Sequence, residues 1–263
     1  MKVRLYTLPA SHPGMTAKRL LEYKEIPFQR VDLLPGISRT LLRAMRFEAG
    51  TVPAMVIDGR KVQGSRTIAQ ELDSLQPDPP LFPADADRRA AVLEVERWGD
   101  EELQATIRTI MLWAAAREPS ARLSYLEEAR IFLPHGLAAK TGGPLVALAV
   151  RLNEATEENA RAALAALPAQ LQRVDDEIAA GTLGGEQLNA ADFQVSGSVR
   201  LAQTSQDLRP LIDGRPAGEL ARRAIPDFAG DLPPTVPEAY LEPLQKAAAS
   251  VQSPPRSGRP VRR

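Results

Sequence analysis

The sequence predicts an α/β unit of order βαβαββα followed by an all-α helical bundle. Three observations carry this expectation. Residues 2–75 switch back and forth between period-two and helical apolar spacing. Within them Asp58-Gly59 separates two short apolar runs, a strong hairpin signal. A proline-rich stretch, "PDPPLFPADAD" at 77–87, then leads into a remainder whose apolar residues recur almost only at helical intervals.

The elements follow in order. "KVRLYT" alternates as a strand, and "PGMTAKRLLEYK" carries Ala17, Leu20, Leu21 and Lys24 at helical spacing. "FQRVDL" alternates again, and "SRTLLRAMRF" returns to helix with Ser38 as its expected cap. "PAMVI" and "RKVQG" form the hairpin, and "SRTIAQELDSLQ" closes a small mixed sheet covered by helices. Domain limits are expected at 1–76, with a linker at 77–86 and a helical domain at 87–230. Asp87 to about Arg117 reads as one long helix with a broad apolar stripe that includes Trp98, Ile107 and Met111. Further helices are expected at 121–133, 144–166 with a break near Pro168, 169–180, 190–206 and 216–224. Residues 231–263 form an extension whose basic end, "SPPRSGRPVRR", has a composition that favours disorder from about 250 onward.

Composition removes several function classes. The 263 residues hold 33 Lys+Arg and 33 Asp+Glu, so no overall field favours nucleic acid or an anionic membrane as partner. There is no cysteine, which excludes disulfides, thiolate metal sites and a cysteine nucleophile. Two histidines, His12 and His135, are too few for a zinc site without carboxylates, and no metal is expected. "MKVRLYTLPA" does not read as a signal peptide, and the most apolar later stretch is interrupted by Pro134, His135, Lys140 and Pro144. The expected location is cytoplasmic. No P-loop, dinucleotide fingerprint or Ser/His/Asp set stands in a recognisable context.

Pro53 precedes the "AMVI" run, and proline at this place reads locally as an ordinary strand start. Three longer segments carry more: "SHPGMTAKRLLEYKEIPF", "GTVPAMVIDGRKVQGSRTIAQEL" and "LNAADF". In their order and spacing they resemble the first helix, the thiol-site segment and the late capping box of the cytosolic glutathione transferases, over about 230 residues. The resemblance implies a thioredoxin-like first domain and a cis Val52-Pro53 bond that turns the Val52 backbone toward a thiol. It further implies a homodimer and a small electrophile as second substrate.

The resemblance also assigns roles. Ser11 falls where the serine-type classes, zeta-, omega- and beta-like relatives among them, place the activating residue. There a hydroxyl at a helix N-terminus can hydrogen-bond a thiolate and lower the thiol's pKa. The plainer reading of Ser11 is a helix cap. Thr7 stands where other classes carry a catalytic tyrosine, and Tyr6 should point to the opposite face of its strand. With Ser11 in place of cysteine, chemistry through a mixed disulfide is excluded. His12 is a possible tuner of the thiol, although an exposed first-turn histidine is the commoner case. Ser65 matches the family's γ-glutamyl carboxylate site, a helix N-terminus suited to an anion. Gly64 departs from the family, whose Glu or Gln there receives the γ-glutamyl ammonium; Gln63 is a substitute only if the register slips. Asn189 and Asp192 form a capping box with a folding role. Arg108, Met111 and Trp113 are candidates for an apolar co-substrate pocket, although Trp and Met at helical spacing are more often core.

Two functions follow. One is a glutathione-transferase-like enzyme that binds glutathione or another low-molecular-weight thiol as co-substrate and adds it to an electrophile or uses it in an isomerisation. The alternative is a catalytically silent protein of that fold acting as a small-molecule or protein binding module.

Overall fold

A computed structural model describes residues 1–252, with side chains through Gln245. Its sheet has four strands, β1 (Val3–Thr7), β2 (Phe28–Asp32), β3 (Ala54–Ile57) and β4 (Arg60–Gln63), in the order β2-β1-β3-β4. β1 and β2 are parallel, and the other two pairings are antiparallel. Asp58 and Gly59 join β3 to β4 with φ of 46° and 88°. Two successive positive φ values match the twist of a tight hairpin, and the Asp58 carboxylate accepts the Lys2 N–H at 2.7 Å. The Val52-Pro53 and Asp78-Pro79 bonds are cis.

Period-two alternation divides the sheet between two apolar layers. On one side Val3, Leu5, Met55 and Ile57 pack with residues of α1 (His12–Tyr23) and α3 (Ser65–Leu75), among them Leu20, Leu21, Ile68 and Leu72. On the other, Tyr6 and Ala54 join Leu33, Phe47 and Leu42 of α2 (Ser38–Ala44). Each fully buried Leu or Ile contributes about 1.5–3 kcal/mol. Ser38 is the first residue of α2 and not its cap; Ile37 occupies the cap position without a side-chain bond.

Lys24, at the end of α1, is fully buried. A lone ammonium would not tolerate this site. Its Nζ donates to Asp73 Oδ1 at 2.8 Å and to the carbonyls of Gln76 and Pro79, both at 2.6 Å. One lysine thus fastens the ends of α1 and α3 to the proline-rich segment.

The long helix expected from Asp87 is continuous in direction but mixed in type. α4 (Ala86–Trp98) passes through a π-helical turn at Gly99–Leu103 into α5 (Gln104–Arg117). The expected helix at 121–133 does not form. Its place is taken by 3-10 turns at Pro119–Arg122 and Ser124–Leu126, because the polar groups there bond away from the local ladder. Tyr125 OH meets Thr204 Oγ1 at 2.8 Å, and Ser124 Oγ accepts the Asp231 N–H at 2.8 Å. α6 (His135–Thr141) and α7 (Gly143–Leu152) follow.

The expected break near Pro168 is also corrected. α8 (Glu157–Ala179) runs straight through that proline, its buried face of Ala160, Leu164, Leu167, Leu171 and Val174 continuing on both sides. Packing of that face outweighs the one backbone bond proline removes. The chain actually breaks earlier, between α7 and α8, at residues 153–156.

α9 (Ala190–Gln203) is buried along almost its whole length. Asn189 and Asp192 begin it with a reciprocal capping box. The short α10 (Arg209–Ile212), then α11 (Pro216–Ala224) and α12 (Glu238–Gln252), complete the described chain. The disorder expected of the basic tail concerns residues outside those described.

α1 crosses α9 at close range. A Cβ on Gly197 would lie 2.4 Å from Thr16 Oγ1 and 3.0 Å from the His12 carbonyl oxygen. Thr16 Oγ1 completes the contact by donating to the Phe193 carbonyl at 3.1 Å.

Candidate functional site

The strand registers gather several chain segments at one edge of the sheet. Tyr6 pairs with Ala54 and Ala54 with Gln63, while Thr7 pairs with Asp32. Thus the ends of β1, β2 and β4 and the start of β3 share that edge. From it α1 departs after Ser11, α3 departs after Gly64, and Val52-Pro53 enters β3.

Ser11 is the N-cap of α1, and its Oγ accepts the Gly14 N–H at 3.1 Å. Gly14 must be glycine, because a Cβ there would sit 1.7 Å from Thr7 Oγ1. This contact seats the first turn of α1 on the end of β1. Ser11 and Thr7 open onto a cavity of about 20 Å³, shared with Lys18 and Arg30 of the sheet unit and with Tyr125, Glu128, Ala129 and Phe228 of the helical half. That volume is close to the space of a single water.

Arg30 Nε donates to Asp32 Oδ1 at 2.8 Å, and the other Asp32 oxygen accepts the Arg130 N–H at 2.6 Å. The buried Asp32 carboxylate therefore clasps the loop that carries Glu128 and Ala129 over Ser11. Burial pushes the Tyr125 phenol up to about 12, so it stays protonated and bonded to Thr204.

Ser65 opens α3, with Gly64 as its cap at φ 89°. The Ser65 side chain is 3% exposed, and its Oγ has no hydrogen-bond partner among the described residues. Gln63 does not replace the missing acceptor at 64. Its amide is committed to the loop before Val52, accepting the Ala49 N–H and donating to the carbonyls of Ala49 and Thr51.

His12 differs from the exposed residue that its first-turn position suggests. It is 4% exposed, Nδ1 lies 3.1 Å from Ser198 Oγ on α9, and Nε2 has no partner among the described residues. Burial first, and the positive charge of Arg108 second, hold its pKa well below the usual range. The ring is a neutral part of the α1–α9 contact.

Arg108, Met111 and Trp113 do not border the Ser11 cavity. Met111 and Trp113 are core residues of α5, the indole carrying the Arg117 guanidinium 4.1 Å from its ring centroid. Arg108 is half-buried; burial lowers its pKa, with Asp100 opposing. The cavity's actual helical-half lining, Tyr125, Glu128, Ala129 and Phe228, has no signature in the sequence, because apolar periodicity assigns 121–133 to a regular helix. Among the described residues, no group of three or more His, Asp or Glu is placed to hold a metal ion.

Residues 5–80 match the family model described as the N-terminal domain of glutathione S-transferase. The chain has the glutathione S-transferase fold. Solved structures agree over nearly its whole length. A glutathione S-transferase from Rhodospirillum rubrum is 20% identical with a TM-score of 0.53, covering 96% of this chain and 89% of its own. The Tau class glutathione S-transferase from mango, Mangifera indica, is 18% identical with a TM-score of 0.57, covering 95% and 97%. Beta-etherase LigF from Sphingobium is 17% identical with a TM-score of 0.56, covering 97% and 96%. A comparison with curated proteins finds no match. The domain match covers the sheet unit alone, and the solved structures extend the likeness in fold to the helical half.

Proposed function

We propose that the protein is a serine-type, glutathione-transferase-like enzyme that holds a small thiol at the α1–α3 edge of its sheet. The observation that carries this reading is the convergence of two helix N-termini on one edge, one capped by Ser11 and the other offering the buried, unpartnered Ser65 hydroxyl. Such N-termini favour anions through free N–H groups and the helix dipole. Ser65 and the start of α3 would take a carboxylate of the thiol compound, and the backbone at Val52 would align it along the β3 entry. Ser11 Oγ accepts from Gly14 and keeps its own proton to donate to a thiolate. The sulfur, ionised by loss of its proton to solvent, would add to an electrophilic carbon of a small second substrate, the π or strained-ring bond at that carbon breaking and its electron pair taking up a proton from solvent. Glutathione or a related thiol is the co-substrate. Without an acceptor at Gly64, a γ-glutamyl ammonium must stay solvated.

A homodimer is part of this proposal, with the α4–α5 helix as a suitable face; light scattering that returned a mass near 28.6 kDa would count against it.

The second reading is a silent binding module. It is favoured by Gly64, by the commitment of Gln63 to its loop, and by a cavity of about 20 Å³ where small-molecule sites usually reach roughly 300–1,000 Å³. Catalysis requires the loop bearing Tyr125, Glu128 and Ala129 to open. Calorimetric titration with a panel of cellular thiols, followed by a thiol-consumption assay, separates the two. Saturable binding of one thiol with Ser11-dependent turnover supports the enzyme; no binding across the panel supports the module.

A further inference from the structure

Exposed apolar side chains are concentrated in one region. Ile37, Leu41, Phe132, Leu137, Leu148 and Leu152 all stand out from the surface, Phe132 at 81% exposure and Leu152 at 57%. They belong to α2 with the turn before it, to α6 and α7, and to the loop ahead of α6. These segments adjoin: a Cβ on Gly36 would lie 2.8 Å from Leu145 Cδ2 and 3.4 Å from Leu148 Cδ2, so α7 rests on the turn that starts α2. α7, "GPLVALAVRL", has no buried residue at all, although only Arg151 in it is charged. Gly143, Leu145, Val146, Ala149 and Val150 are half-buried, whereas Leu148 and Leu152 stand exposed, and an apolar outer side of this kind implies an occupant.

The charges of the same region identify that occupant. Residues 33–47 contain Arg39, Arg43 and Arg46 and no acid; residues 129–153 contain Arg130, Lys140 and Arg151 and no acid. All six are exposed, and none forms an ion pair with a carboxylate among the described residues. Elsewhere Arg19, Arg60, Arg97, Arg117, Arg209 and Arg222 each pair with an acid, while Lys2, Lys61, Arg88, Arg89 and Arg161 are exposed cations without an ion pair among the described residues. The overall balance of 33 to 33 therefore conceals a segregation along the chain: within these stretches exposed cations alternate with exposed apolar residues, and the exposed acids Glu48, Glu127, Glu128 and Glu154 stand only at their ends.

We propose that this α2/α6/α7 face docks on the surface of an anionic lipid bilayer, its apolar side chains entering the headgroup region and its cations facing lipid phosphates. The combination of apolar face and basic collar is that of interfacial helices. Among the described residues no helix is long and apolar enough to cross a membrane, so the contact is peripheral. A second copy of the chain is a poorer occupant, because a twofold contact would set six cations against six. A nucleic acid backbone would match the charge but leave Phe132 and Leu152 without an apolar partner. The loop that closes over Ser11 ends at Ala129, where this face begins, so docking would bring the cavity's cover to the membrane surface.

The test is flotation of the full chain with vesicles of phosphatidylcholine alone and of phosphatidylcholine mixed with phosphatidylglycerol, at low and high salt, with light scattering and duplex-DNA binding measured in parallel. The expected result is binding to the anionic vesicles only, weakened by salt. Phe132→Ser should reduce it about tenfold and Arg43→Glu or Lys140→Glu about thirtyfold each. All three side chains are exposed, and unchanged thermal melting of the variants verifies their folding. Failure to float with anionic vesicles would overturn the proposal, as would binding that all three variants leave intact. A dimer dispersed by Phe132→Ser would assign the face to self-association, and DNA binding indifferent to Phe132→Ser would assign its charge to nucleic acid; either also overturns it. None of these readouts depends on thiol chemistry.

Discussion

Ser11 Oγ accepts the Gly14 N–H at 3.1 Å, so one hydroxyl caps α1 and still has its own proton to give. Cap and thiolate donor are compatible roles, one using the lone pairs and the other the O–H. They separate by substitution. Ser11→Ala should lower stability by about 1 kcal/mol for the lost cap and thiol-dependent turnover by about one to two powers of ten. Ser11→Asp keeps a capping oxygen but repels a thiolate. It should melt like the native protein and be inactive. Full activity in Ser11→Asp would refute the thiolate role.

Gly64 stands at φ 89° and ψ 141°, where a side chain is strained although the surrounding space is open. Gly64→Ala should therefore cost about 1–3 kcal/mol, seen in denaturant unfolding. Gly64→Gln should carry the same strain and yet bind glutathione about ten- to a hundredfold more tightly, since its amide oxygen can receive the ammonium. Calorimetry on both proteins checks this. Equal affinities would show that the ammonium is held from another part of the molecule.

The α1–α9 crossing depends on the absent side chain at Gly197. Gly197→Ala must push Thr16 and the His12 carbonyl away from α9, both within 3.0 Å of the new carbon. A loss of about 1–3 kcal/mol is expected from such overpacking. Gly181→Ala, where nothing lies within 4 Å but φ is 77°, isolates the backbone penalty for comparison.

Two buried groups give opposing pH dependence. Burial pushes Glu96 up to about 7 from 4.5, against the pull of Arg66, whose Nε stands 3.7 Å away. Between those values the folded chain holds a proton that the unfolded chain has lost, so this group's contribution to stability falls as pH rises from 4.5 to about 7 and is flat above. His12, neutral in the fold, acts the other way: below 6.5 the unfolded chain takes up a proton that the folded one refuses, and stability falls with acid. Glu96→Gln removes the first slope and leaves the second. Above pH 7 this variant should be more stable than the native protein by a few kcal/mol on the order-of-magnitude scale of such shifts. Its stability should then fall steadily below pH 6.5, as denaturant titrations at several pH values will read.

The sequence by itself determined the first unit almost completely. Its signals are local: alternation in "KVRLYT", the Asp58-Gly59 turn, and Ser65 opening a helix after Gly64. Each depends on neighbours a few residues away, and the physics that fixes it is visible in a short window. The Asn189–Asp192 box was legible for the same reason. Tertiary structure alone decided matters that depend on distant partners. Pro168 reads as a break, but the apolar face of α8 continues across it and the packing prevails. Residues 121–133 read as helix, but Thr204 and Asp231 draw Tyr125 and Ser124 out of the helical ladder and over Ser11. His12 reads as exposed, but α9 covers it; for Met111 and Trp113 the sequence left pocket and core both open, and burial in the helical core is what the fold gives them. The charge balance gives no sign that the basic stretches 33–47 and 129–153 adjoin, because they meet only once α7 lies against the turn at Gly36.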